Sequence, residues 1–277
     1  MREPGIYNNV PIDTYHGEEG ISSSGINLIL DCPKRYWYEY HGRPIEMETR
    51  AQKDARKIGS AFHMLLLEPD KFEKMYFPME EEVNLTTKIG KEKYAEAEFQ
   101  AEGREIIRAG DWVDIWAMAQ EARAHPLWLH MDNSKVEQSI YWNAGFYNTR
   151  LKSRPDIYTD KLIIDVKTVR SINEFQRTIY QSGYHRQAAM QIDGLKHFNT
   201  EGDNSERFHA FFLVEKHAPY LTACFTLDLE SIKQGRREYQ DGMMTYSECM
   251  KAGLWPGYDS KFQITSIPQW VMKRDNI

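Results

Sequence analysis

The chain has 277 residues, 41% hydrophobic and 13% aromatic, with a net charge of −6, so it can bury a sizeable core and is too apolar for wholesale disorder. No apolar stretch approaches the ~20 residues that cross a bilayer, and the N-terminus has no secretory h-region. The three scattered cysteines, Cys32, Cys224 and Cys249, suit a reducing cytoplasm better than a disulfide framework.

The acidic balance removes any global attraction to nucleic acid but leaves room for a local basic surface. Lys34, Arg35, Arg43, Arg50, Lys53, Arg56 and Lys57 cluster within 24 residues, either as such a surface or as a solvated charged face. After an irregular start, "SSSGINLILDCPKRYWYEY" offers serine capping and then Ile26, Ile29 and Leu30 at helical spacing. Pro33 interrupts the pattern, and a basic-aromatic segment follows. A second helix is predicted over 54–68, with Ile58, Phe62, Leu65 and Leu66 on one stripe, and charged amphipathic helices over 87–108 and 111–124.

Strand patterns begin near Val136 with "VEQSIYWN", "YNTRLKSRPDIY" and "KLIIDVKT". A helix over 173–196 comes next, then a hairpin from "RFHAFFLVEK" and "YLTACFTLD", a helix over 228–252 and an irregular Trp- and Pro-rich tail. The order predicts an α/β fold with a central mixed β-sheet flanked by helices. With no repeat or long linker, residues 1–277 read as a single domain, helical over about 1–130 and with the core over about 131–277.

Within "RPDIYTDKLIIDVKT", a two-residue turn at Asp160-Lys161 would set Asp156 opposite Asp165, on one face with Cβ atoms ~5 Å apart, whereas a three-residue turn would slip the register and send the carboxylates to opposite faces. Lys167 shares that face, while Ile164 and Val166 point to the other. Paired carboxylates repel unless a cation or a proton lies between them. The pair therefore reads as a divalent-metal site for phosphodiester hydrolysis, or as a charged strand edge.

Pro155-Asp156 followed by Asp165-Val166-Lys167 resembles the PD-(D/E)xK signature of restriction-endonuclease-like nucleases. Gly59 and His63 in "GSAFHMLLLEP" resemble the GxxxH helix of the RecB-type branch. Gln187 in "YHRQAAMQIDG" matches the glutamine of that branch's QxxxY pair, with Gln191 in place of the tyrosine and Tyr184 on the same helix face. The Cys-Pro-aromatic opening, "LVEKHAPY" and "WPGYDSKFQITSIPQWV" are similar to the RecE-like (exodeoxyribonuclease VIII-type) phage exonucleases.

The resemblance implies a restriction-endonuclease-like core with helical N-terminal additions. It also implies a hydrolase that digests one strand of linear double-stranded DNA, 5′ to 3′, leaving 3′ single-stranded tails for recombination. A structure-selective endonuclease with the same metal site, or a DNA-binding module that has lost catalysis, are the alternatives. His63, Asp156, Asp165 and the Val166 carbonyl would hold two Mg²⁺ ions, or Mn²⁺, and Lys167 would orient the attacking water. Gln187 would position the phosphate or the water. Arg170, Arg177, Tyr184, Gln191, Arg35 and Trp37 would contact DNA, the last two within a "PKRYWYEYHGR" lining. Glu137, on an early strand in some relatives, is expected to face solvent. The resemblance further implies a ring-shaped tetramer and a separate single-strand annealing partner. Cys32 lacks the downstream cysteine triplet of relatives with an iron–sulfur cluster, so no cluster is expected.

Overall fold

The computed structural model describes residues 2–42, 50–131, 133–145, 148–199, 207–259, 261–262 and 264–267. Strand β1 (Gly5–Tyr7) and helix α1 (Ile12–Gly17) occupy the start that was expected to be irregular. Helix α2 (Ser23–Asp31) begins where the serines predict it, with the Gly25 N–H donating to Ser22 Oγ. Pro33 does not end a helix so much as start one. It opens α3 (Pro33–His41) in the first turn, where a missing N–H costs nothing.

Helix α4 (Arg50–Leu67) carries the predicted apolar stripe and is followed by α5 (Pro69–Met75) and strand β2 (Tyr76–Pro78). The helix expected over 87–108 is shorter than predicted. Helix α6 (Lys88–Ala101) stops at a left-handed Glu102, and Glu105–Ile107 forms β3, paired in parallel with β2. Two β-branched isoleucines join a strand that is remote in sequence, and this partner overrides the local helical reading. Helix α7 (Ala109–Ala124) then forms close to its predicted position.

The strands divide between two sheets. β1, β5 (Ser139–Ala144) and β6 (Thr149–Ser153) form an antiparallel three-stranded sheet. The central mixed sheet has the order β10-β9-β8-β7-β4, built from β4 (Lys135–Val136), β7 (Ile157–Tyr158), β8 (Leu162–Val169), β9 (Phe208–Glu215) and β10 (Thr222–Thr226). The segment "YNTRLKSRPDIY" is therefore not one strand, because it leaves the first sheet after Ser153 and enters the second at Ile157. β8 and β9 run parallel, and the predicted β9–β10 hairpin is antiparallel.

Residues 173–196 do not form one helix. Helix α8 (Phe175–Gln181) ends at Ser182, and Gly183, at φ +68, opens α9 (Tyr184–Lys196). A Cβ on Gly183 would come within 2.5 Å of Asn27 Oδ1 and Arg186, so glycine is required at this break. Helix α10 (Leu229–Ala252) runs where it was predicted, with Asp228 capping the Ser231 N–H.

Both faces of the central sheet are covered. Ile163, Phe211 and Leu213 pack with α9, α10 and Trp142. Ile164, Val166, Phe212 and Val214 pack with α4 and α7. Burial on both sides explains why β8 and β9 read as nearly continuous apolar runs rather than alternating ones. No helix among the described residues is long and apolar enough to cross a membrane.

Candidate active site

The β7–β8 hairpin turns through Asp160-Lys161 and pairs Ile157 with Ile164 and Tyr158 with Ile163, the register that places Asp156 across from Asp165. Val166 then faces Pro155, where the strand pairing ends, and its N–H donates to Asp156 Oδ2 at 2.6 Å. Pro155 has no N–H and cannot extend the ladder. The peptide group left at the strand end is taken up by the carboxylate next to it. The Val166 side chain, as expected, lies on the opposite face in the core with Ile164.

His63, from α4, reaches the same carboxylate, with Nε2 2.9 Å from Asp156 Oδ2. Its Nδ1 lies 3.3 Å from Glu137 Oε1. Glu137 is thus not a solvent-facing residue. It sits between β4 and β5 at φ +51, its N–H bonded to the Asp156 carbonyl. A non-glycine residue in this left-handed conformation costs about 1–2 kcal/mol, and such strain is found where the surroundings dictate a side-chain direction. Arg154 Nε holds the other Glu137 oxygen at 2.5 Å, and its Nη1 donates to the Val10 carbonyl.

The second part of the motif is more deeply buried. Asp165, 1% exposed, accepts from Gln187 Nε2 at 2.7 Å on Oδ1. Lys167 Nζ lies 2.6 Å from Oδ2, so the buried carboxylate and the ammonium form a close ion pair. The ammonium also lies over the Tyr184 ring at 4.9 Å. The αL break at Gly183 gives α9 its separate start, and α9 carries both Tyr184 and Gln187.

These neighbours set the charge states. Burial works against the His63 charge, but Asp156 and then Glu137 outweigh it and raise its pKa to about 9. Burial likewise opposes the Asp156 charge, yet His63, Lys167 and the Val166 N–H hold that carboxyl below its usual range. Burial and the Asp156 charge hold Glu137 above its usual range, against His63 and Arg154. Asp165 is pushed up to about 6 by burial, which outweighs the pull of Lys167. Lys167 stays protonated because Asp165 and Asp156 overcome its burial.

The donor set suits a divalent cation. One ligand atom each from His63, Glu137 and Asp156 lies within 4.8 Å of the others. Asp165, buried on β8, adds a further carboxylate beside them. Carboxylates with an imidazole make a hard, oxygen-rich set that fits Mg²⁺ or Mn²⁺. The cluster opens into a cleft of about 680 Å³ lined by Arg56, Gly59, His63, Glu137, Asp156, Lys167, Thr168 and Lys216, among others. A smaller recess, about 250 Å³, lies on the other side of Asp156 against His16, Ser22–Ser24 and Gln187. A larger groove of about 900 Å³ between α8, β10 and α10 contains none of the expected site residues.

Gln191 is buried, with Oε1 held by His209 Nε2 at 2.8 Å, and it lines the smaller recess beside Asp156 and Gln187. Arg170 and Arg177 are exposed and line neither the cleft nor the recess. On α3, Arg35 pairs with Asp31 and lies over Tyr258, and Trp37 is partly exposed away from the cleft. Tyr36, between them, is a packing residue stacked with Tyr40 and Trp255. Arg43 and the side chains of Arg50 and Lys53 lie outside the described residues. Sequence reasoning missed Arg154, although it immediately precedes Pro155-Asp156 and so had to sit beside the motif.

The family described as PDDEXK-like domain of unknown function (DUF3799) matches residues 22–266. No curated protein matches the chain. Among solved structures, the fold is similar to that of a protein from Eubacterium rectale named "Putative exonuclease". The TM-score is 0.59 and the identity 12%, over 97% of this chain and 100% of that one. A phage related exonuclease from Haemophilus somnus 129PT is also similar, with a TM-score of 0.33 and 14% identity over 85% of this chain and 97% of that one.

Proposed function

The chain belongs to the family of PDDEXK-like domains of unknown function (DUF3799), and on that footing we propose that its cleft hydrolyses the phosphodiester bonds of linear duplex DNA as a RecE-like, divalent-metal-dependent exonuclease. The observation that carries this reading is the convergence of His63, Glu137 and Asp156 at the end of the strand pair that bears Asp165 and Lys167. A structural strand edge has no reason to gather three potential ligands from α4, the β4–β5 connection and the motif itself.

Asp156, Glu137 and His63 would hold one cation, and the buried Asp165 carboxylate would share in a second. When bound, such a cation supplies Lewis acidity to a phosphoryl oxygen and makes the attacking water more acidic. Lys167 remains an ammonium, so its part is electrostatic. It orients the water and offsets the negative charge that grows on the phosphate. Gln187 holds the Asp165 carboxylate in one orientation through its 2.7 Å hydrogen bond. Tyr184 fixes the Lys167 head from the other side.

In the same reading the enzyme works from a duplex end, 5′ to 3′, as a ring-shaped oligomer, and hands its 3′ tail to an annealing protein. The test is incubation of the purified protein with linear and closed circular duplex, in Mg²⁺ or EDTA, beside Asp165→Ala. Loss of the linear form alone, abolished by EDTA and by the substitution, is the expected result. Cutting of the circle would assign an endonuclease instead, and no cleavage of either form would overturn catalysis.

A further inference from the structure

We propose that Lys216 is the anion-binding group of a phosphate subsite on the α4 side of the cleft, and that it holds a backbone phosphate next to the one being cut. This deepens the reading above and rests on it for the identity of the substrate. Lys216 directly follows β9, its N–H donating to the Val169 carbonyl at the end of β8, two residues beyond Lys167. The strand alternation places Glu215 on the α9 side, where it receives the Ile172 N–H. Lys216 is thereby sent to the α4 side, and it lines the same cleft as His63, Asp156 and Lys167.

Three features make this a prepared site. Lys216 is half-buried, and burial alone lowers its pKa with no carboxylate acting in the opposite sense. Among the described residues no acidic side chain pairs with it, in contrast to Lys57, which lies 3.0 Å from Glu105. Taking an ammonium out of water without a counter-charge is unfavourable, and an arriving phosphate removes that cost through a charge-assisted hydrogen bond. Gly59 and Thr168 line the same cleft as the metal cluster and Lys216, and a Cβ on Gly59 would meet only Thr168 Oγ1, at 3.5 Å. Gly59 is therefore not a packing glycine, and its missing side chain widens the cleft floor.

The experiment measures binding of a linear duplex oligonucleotide in Ca²⁺ across a salt series, together with KM and kcat in Mg²⁺. Wild type is compared with Lys216→Gln, Lys216→Arg and the remote control Lys88→Gln, and thermal melting checks that each is folded. Lys216→Gln is expected to weaken binding by roughly five- to tenfold at low salt. It should also flatten the slope of log Kd against log salt by about 0.7–0.9, the share of one phosphate contact. KM should rise while kcat holds, and Lys216→Arg and Lys88→Gln should stay near wild type. An affinity and slope unchanged in folded Lys216→Gln would overturn the proposal, as would a fall in kcat at constant KM. The binding arm needs no turnover. Failure of the wild type to cleave DNA would count against the proposed activity alone, while the salt slope would still decide on Lys216.

Discussion

His209 lies buried against Phe211, with Nε2 on Gln191 and, among the described residues, no partner for Nδ1. Burial, aided by the Lys167 charge, pushes its pKa down to about 3, against about 6.5 in an unfolded chain. Between these values the unfolded state takes up a proton that the folded state refuses. The stability contribution is therefore whole above pH 6.5 and is lost progressively as the pH falls toward 3, at about 1.4 kcal/mol per pH unit. His209→Phe should show a flatter acid limb than wild type in denaturant titrations between pH 6.5 and 4. An unchanged slope would mean that other groups dominate acid unfolding. The same contact explains why Gln191 is buried. Its partner comes from β9, and nothing in the sequence near residue 191 announces that strand.

Packing between elements leaves no room for a side chain where Gly235 of α10 meets α9. A Cβ on Gly235 would fall 2.1 Å from the His185 carbonyl oxygen and 2.9 Å from the Arg186 nitrogen, and backbone of this kind cannot give way as a flexible side chain can. Gly235→Ala should therefore destabilise the protein by at least about 3 kcal/mol, the upper range for overpacking, whereas Gly59→Ala should be close to neutral. Urea midpoints for the two variants measure the contrast, and equal values would contradict the described crossing. Helices α2, α4 and α10 were legible because capping residues and apolar stripes are local signals. The β2–β3 pair was not, because each strand has three residues and is stabilised only by the other.

For the molecule as a whole, the gathered carboxylates link folding to cation binding. A ligand at a hundred times its Kd adds about 2.7 kcal/mol to the native state, or roughly 5 °C in melting temperature for a chain of this size. Mg²⁺ or Mn²⁺ should raise the melting point by that order, EDTA should reverse it, and Glu137→Gln should reduce it markedly. A full shift in Glu137→Gln would remove Glu137 from the ligand set. The net charge of −6 is compatible with a DNA substrate because Arg56, Lys167 and Lys216 are concentrated in the cleft, where the local field and not the total decides attraction.

By itself the sequence determined the common face of Asp165 and Lys167, the β9–β10 pairing and the long C-terminal helix, and it narrowed the hairpin register to that of a two- or a three-residue turn. Each follows from short-range geometry: a tight turn, a strand period of two, or a helical period of 3.6. Only the tertiary structure brought Glu137 and Arg154 to His63, placed Gln191 in the core and left the basic-aromatic α3 outside the cleft. Those outcomes depend on which segments meet across the two sheets, and the chain's local periodicities carry no record of that.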